Sequence, residues 1–267
     1  MSIDHFVEDK NIKVAEDTVL DGKVIDAGTK LNFVLRQGQY SGFKMRVPPP
    51  EFEALLFFNA LESAAKAETL KKMIKVDKST FDNLPQVDYE DQNRSIFFSM
   101  CQNSMASVAF SVSAIESWAN NSIAIYGLNN GQPTELTMKR PNKPDRKIMS
   151  NSVASDLSIP IRPKLFQLIP QVFSCPQLKD HSTLRERVCN VIEERNIVMH
   201  MQNTLSISDE EVERVNYAVK LFKVNPFTAP EAMLNYVIYI YEHSIIEEPQ
   251  WVTLAKKEIE KLKKKLK

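Results

Sequence analysis

The sequence predicts a mainly α protein: a multi-helix bundle preceded by a small β-hairpin or meander segment. Three observations carry this. Beyond residue 50, apolar residues recur at helical spacing over most of the chain. Residues that start and stop helices bracket those stretches. Four of the six glycines (Gly22, Gly28, Gly38 and Gly42) fall within the first 49 residues, among short β-prone runs. Two units follow, a β-containing segment over 1–49 and a helical domain over 50–267.

The elements can be justified in order. Lys13-Val14, Thr18-Val19-Leu20, Lys23-Val24-Ile25 and Leu31 to Leu35 are β-prone, and Asp21-Gly22 and Ala27-Gly28 separate them as turns. A segment this small cannot hold its own core, so it is expected to pack on the helical body. Pro48-Pro49-Pro50 ends it. Phe52, Leu55, Leu56, Phe58, Leu61, Leu70 and Met73 then mark a helix to about residue 75. A polar connector over 76–90 leads to a long helix from about 90 to 125, with Phe98, Cys101, Met105, Val108, Val112, Ile115, Ala119 and Ile123 on one stripe. Residues 127–160, with Asn129-Asn130-Gly131, Pro133, Pro141 and Pro144, read as a long loop. A short helix covers 163–173, and a central helix covers 182–205, with Ser182 as its cap. Ser208 to Glu211 opens a helix to about 223, and Thr228 and Pro230 open another over about 229–244. A last helix runs from Pro249 into a lysine-rich end, and its Ile259, Leu262 and Leu266 suggest that it docks on the body.

Composition bounds the function. The 267 residues are 43% hydrophobic and 25% charged, ordinary for a globular protein. Lys plus Arg and Asp plus Glu are 34 each, so any nucleic-acid site must be a local patch. Six glycines and no phosphate-loop or dinucleotide fingerprint argue against a nucleotide-binding fold of those types, and no cofactor is expected. Cys101, Cys175 and Cys189 are odd in number and far apart, as reduced thiols would be; His5, His181 and His243 lack metal-ligand spacing. No apolar run nears the roughly 20 residues of a membrane span. The expectation is a soluble, cytoplasmic protein. Trp118, Trp251 and the Tyr236–Tyr241 cluster read as core.

The central helix carries the chemistry. Leu184, Val188, Val191, Ile192, Val198 and Met199 form its stripe, and at about 100° per residue Arg195 falls in the middle of it. Arg cannot shed its charge, so it must be paired or face a site that wants a cation. Asn196 and His200 lie one turn apart on the flank of the same stripe. Glu116 falls within the stripe of the long helix, and the simplest resolution is that Glu116 and Arg195 meet or border one polar site.

Arg195-Asn196-Ile197-Val198-Met199-His200, preceded by Val191-Ile192-Glu193-Glu194, resembles the signature of HEPN domains, helical modules of prokaryotic toxin and defence systems. That pattern is an Arg, a polar residue, and a His four to six residues beyond the Arg. Ser111 to Trp118 is similar to the family's earlier helix, where a small-residue run leads to Ala-x-Glu and an aromatic residue. The resemblance spans roughly residues 90–245; the β-prone start, the 127–160 stretch and the lysine tail depart from it.

The resemblance implies a HEPN-like bundle and a metal-independent endoribonuclease, active as a homodimer, in a toxin or defence system with an antitoxin or defence partner protein. RNA cleavage by its own 2′-hydroxyl needs one proton removed, one delivered, and charge stabilised on phosphorus. His200 can act as acid or base near neutrality. Arg195 offers a planar fork to phosphate oxygens. Asn196 can bind phosphate or orient His200, and Glu116 would hold Arg195. Lys139, Arg140, Lys143, Arg146 and Lys147 are candidate RNA-backbone contacts, against the plainer reading of a solvated basic loop. The alternatives are a non-catalytic interaction or nucleotide-binding module with Arg195 and Glu116 structural, and a helical DNA-binding regulator, disfavoured by zero net charge.

Overall fold

The computed structural model describes residues 11–13, 18–20, 23–25, 30–32, 36–40, 43–47, 51–77, 86–87, 91–179, 182–200 and 207–266, with side chains over 51–76, 91–179, 182–199 and 215–266. Its strands before residue 50 are β1 (Asn11–Lys13), β2 (Thr18–Leu20), β3 (Lys23–Ile25), β4 (Lys30–Asn32), β5 (Arg36–Tyr40) and β6 (Phe43–Val47). β2 pairs with β3, β1 closes around them on β4, and β5 pairs with β6, all antiparallel. The expected packing of this segment on the helical body rests on side chains outside the described residues.

Helices dominate the rest. They are α1 (Phe52–Met73), α2 (Asp91–Tyr126), α3 (Ile161–Pro163), α4 (Ile169–Val172), α5 (Thr183–His200), α6 (Ile207–Lys223), α7 (Thr228–Glu242) and α8 (Gln250–Leu266). The mainly α bundle is therefore as the periodicity predicts. The short pair β7 (Val76–Asp77) and β8 (Gln86–Val87) joins α1 to α2. Among the described residues no helix is long and apolar enough to cross a membrane.

The 36-residue α2 is the spine; it packs on α1, α5, α6 and α7. Small buried residues line the α1 and α2 faces, with Ala54, Ala60, Ala64 and Ala67 on α1 and Ser104, Ser107 and Ser111 on α2. The buried serines keep their hydroxyls satisfied: Ser111 donates to the Ser107 carbonyl at 2.7 Å and Ser107 to the Pro226 carbonyl at 3.3 Å. Trp118 is the aromatic hub. Its indole N–H donates to the Tyr241 hydroxyl at 3.2 Å, and Phe173, Tyr236 and Tyr241 pack around its ring. Trp251 is 4% exposed. Ile259 is buried, and Leu262 and Leu266 are partly buried against the same core, so α8 docks as its apolar residues suggest.

The stretch 127–160 is not a loop, and this corrects the sequence expectation. It folds as β9 (Leu128–Asn129) with β10 (Gln132–Pro133), then a longer hairpin of β11 (Glu135–Arg140) with β12 (Lys143–Met149). Asn130 (φ 50°) and Gly131 (φ 74°) make the first turn; both central residues are left-handed, as a type I′ hairpin turn requires. The second turn is Pro141-Asn142, with Asn142 at φ 57°, the place a type II turn reserves for Gly or Asn. Pro144 is tolerated because the ladder shifts register between Met138 and Arg140, and a bulge needs no donor there. Leu136, Met138 and Ile148 face the core while the charged residues face out. Ser150 and Thr134 both donate their hydroxyls to the Gly127 carbonyl, at 2.6 and 2.8 Å, and root the hairpin at the end of α2.

Residues 161–172 are one helical segment interrupted by a π-helical turn at Lys164–Leu168. Pro170 has no N–H to return to residue 166, and its ring crowds that carbonyl. The preceding turn opens, and the Ile169 N–H donates to the Lys164 carbonyl five residues back.

Trp118→Ala removes the hub and one of the hydrogen-bond partners of the Tyr241 hydroxyl. Urea unfolding is expected to show a loss of about 3–5 kcal/mol; a loss below about 1 kcal/mol would contradict the role assigned to this side chain.

Candidate functional site

The site is built on α5. The Ser182 hydroxyl accepts the Arg185 N–H at 3.3 Å, and the Ser182 carbonyl accepts the Glu186 N–H, so the helix starts at the predicted cap. Val188, Val191 and Ile192 are buried against α2 and α7. Arg195, on the same stripe, is half-buried. Its Nε is shielded from solvent and has no hydrogen-bond partner. Its neighbour Glu194 is committed to Lys220 at 2.7 Å. Asn196 is exposed, as are Ile197 and Met199. His200 is the last described residue of α5, and its side chain lies outside the described residues, as do residues 201–205 of the expected helix.

The expected meeting of Glu116 with Arg195 is not formed. Glu116 instead faces the ammonium of Lys164, at 3.4 Å. Lys164 is only 5% exposed at its side chain, whereas Glu116 keeps 36% of its surface in water. A cation this buried needs a close counter-charge, and α2 supplies it. The reason for the difference is directional. Periodicity says which side of a helix is covered, not which element covers it. Glu116 looks onto the π-helical turn, while the last turns of α5 reach a separate small core: Val198 packs there against Met100, Cys101, Tyr217 and Leu221.

The hairpin creates a feature that composition hides. Among the described residues, the outer edge of β11 has no strand beside it. Two side chains at i and i+4 complete it instead. Gln167 accepts the Lys139 N–H at 2.7 Å and donates to the Lys139 carbonyl at 3.4 Å. Gln171 accepts the Thr137 N–H at 2.9 Å and donates to the Thr137 carbonyl at 2.7 Å. The spacing matches: two residues of strand advance about 6.6 Å, and residues one helical turn apart are about 6 Å apart.

Between the hairpin so held, the start of the 161–172 segment and the first half of α5 lies a cleft of about 860 Å³. Lys139, Arg140, Lys143, Arg146, Arg162 and Arg185 line it, and among the described residues no carboxylate does. The arginines are positioned rather than loose. Arg146 bonds Ser158 at 2.8 Å and pairs with Asp156. Arg162 reaches Glu193 at 2.6 Å and the Cys189 carbonyl at 3.4 Å. Arg185 donates to the Leu178 carbonyl and covers the Phe166 ring at 4.4 Å. Hydrogen bonds from the Ser158 hydroxyl and amide, with Arg146 beside them, hold the Asp156 carboxyl below its usual range. Lys147 is not part of the cleft; it pairs across the hairpin with Glu135. Four of the five basic residues named from sequence therefore converge, and Arg162 and Arg185 join them from outside that stretch.

The cleft and the motif share one helix face. Around α5, Asn196 falls within about 20° of both Arg185 and Cys189, and about 10 Å beyond Cys189 along the axis. Arg195 points about 100° away, toward the core side. Among the described residues no group of three His, Cys, Asp or Glu side chains converges to hold a metal ion. Sequence reasoning missed Arg162, Lys164, Gln167, Gln171 and Arg185. The pair of glutamines at i and i+4 beside Pro170 was the one available signal.

Cysteine chemistry reports on the cleft wall. Burial pushes the Cys101 thiol up to about 11 and raises Cys175 as well. Cys189 is half-exposed at the cleft. At pH 8 only about a thousandth of Cys101 is thiolate, so a thiol reagent is expected to modify one thiol per folded chain, and Cys189→Ser to abolish that phase. Equal fast labelling in Cys189→Ser would contradict this placement.

No protein-family model, no curated protein and no solved structure matches the chain.

Proposed function

We propose that the chain is a metal-independent endoribonuclease of HEPN type, acting as a homodimer in a toxin or defence system. The supporting observation is Arg195: a guanidinium half-buried on an apolar stripe, with a shielded Nε lacking a partner and no ion pair to any described carboxylate. An unmatched buried N–H costs about 1–3 kcal/mol. A phosphate on the terminal nitrogens of the guanidinium would supply the counter-charge that no described carboxylate provides.

In this reading Arg195 binds the scissile phosphate and stabilises the charge that grows on its oxygens. Asn196, exposed one residue on, hydrogen-bonds the phosphate or orients the imidazole. His200 moves the proton, and a second copy across a symmetric interface supplies the complementary acid or base. The 2′-oxygen attacks phosphorus, the bond to the 5′-oxygen breaks, and the leaving oxygen takes a proton. Products are a 2′,3′-cyclic phosphate and a 5′-hydroxyl. Glu116 has a revised part: it neutralises Lys164 and so fixes the 161–172 segment against α2.

The test is cleavage of a labelled RNA by the full chain in EDTA. Cleavage is expected to survive the chelator, to fall by about 10²-fold or more in His200→Ala, and to fall comparably in Arg195→Ala. A 2′-deoxy residue at the cut site should block it. Undiminished cleavage in His200→Ala, or cleavage of the 2′-deoxy strand, would remove the proposal.

A further inference from the structure

We infer that the cleft between the β11–β12 hairpin, the 161–172 segment and α5 is a track for the phosphodiester backbone of single-stranded RNA, gripped without reading base identity. This use of the cleft rests on the ribonuclease reading of α5 for what happens to the strand, but not for its binding.

Charge is the first ground. The chain as a whole is neutral, with 34 residues of each sign, yet among the described residues six cations and no carboxylate line one wall. Arg146 and Arg162 are paired with the carboxylates of Asp156 and Glu193, which lie outside the lining, so their charge is partly spent. Lys139, Arg140 and Lys143 have no carboxylate partner among the described residues; Arg140 gives its Nε to the Pro144 carbonyl at 3.0 Å and lines the cleft. A polyanion is the ligand that such a wall favours.

The wall also shows what it does not read. Base-specific grip on a single strand needs aromatic platforms or free amides. Phe166 is the one aromatic residue in the wall; it is 3% exposed and roofed by Arg185. The Gln167 amide uses both its ends on the Lys139 backbone. Among the polar lining residues the cations predominate, and cations fit phosphates, not sequence.

Size selects a single strand. About 860 Å³ lies within the range of a small-ligand pocket, roughly 300–1,000 Å³. It admits one strand a few nucleotides at a time. A duplex is read across successive minor grooves over about 16 base pairs and needs a much longer surface. The track also leads somewhere: the α5 face that walls the cleft at Arg185 and Cys189 carries Asn196 about 10 Å on.

The test separates binding from cleavage by using a fluorescent 2′-O-methyl single strand, which cannot attack its own phosphate. Three cations without carboxylate partners, at about 0.7 per phosphate, give a log–log salt slope of roughly −2 or steeper. Lys139→Ala with Lys143→Ala, both exposed on the hairpin, should weaken binding at least about tenfold and flatten the slope by roughly 1.4. Lys147→Ala, outside the cleft, should stay within about twofold, as should a scrambled sequence, and the matching duplex should bind at least about tenfold more weakly. Binding that ignores salt, a Lys147→Ala loss equal to that of the double variant, a duplex bound as tightly, or a site that takes inorganic pyrophosphate but no RNA would overturn the inference. If the 2′-O-methyl strand binds as expected but normal RNA is not cut, the ribonuclease reading goes and the track stands. If RNA is cut equally by the double variant, the track goes and the α5 chemistry stands.

Discussion

Two glutamine side chains complete the edge of β11 that no described strand covers, and they fix one side of the cationic cleft. An open strand edge presents unpaired N–H and C=O groups and invites other chains. Here Gln167 and Gln171 match β11 donor for acceptor at Thr137 and Lys139, as a further strand would. This clamps a hairpin rich in positive charge to a helical segment that, three residues earlier, carries a buried lysine neutralised by Glu116. Leu136, Met138 and Ile148 hold the hairpin on the core, and the glutamines add the fixed register that sets its lysines and arginines against Arg162 and Arg185. With it, they share one wall.

The clamp is in turn set by local backbone chemistry. Pro170 denies the preceding turn an ordinary helical bond, and the π-helical turn at Lys164–Leu168 is the response. A wider turn advances differently around the axis, so Lys164 points inward to Glu116 while Gln167 points outward to the hairpin. π turns are often found at functional sites. In this chain the turn sorts neighbouring side chains between the core and the cleft.

Much of this was legible in the sequence, for physical reasons that differ by element. The helices were legible because burial imposes a period: Val188, Val191 and Ile192 come out buried, Ser182 caps α5, and Trp118 lies in the core. The hairpin was not, because its prolines and charges look like loop composition; only the left-handed pair Asn130-Gly131 and the alternation of Leu136, Met138 and Ile148 betray it. Arg195 stood out by its place on the stripe, and the structure leaves its Nε without a partner. The partner of Glu116 was out of reach, because a stripe identifies a buried side but not what lies across from it. Arg162 and Arg185 were out of reach for the same reason: they join Lys139 and Lys143 only through tertiary docking.

The central claim is that side-chain amides hold the hairpin in place. Hydrogen exchange at the Thr137 and Lys139 amides tests it most directly, because both point away from the partner strand and have no other acceptor among the described residues. Slow exchange is predicted in the native chain, with Gln167→Ala plus Gln171→Ala accelerating those two amides by about tenfold to a hundredfold while amides in the middle of α2 are unchanged. Unaltered protection at Thr137 and Lys139 in the double variant would contradict the account.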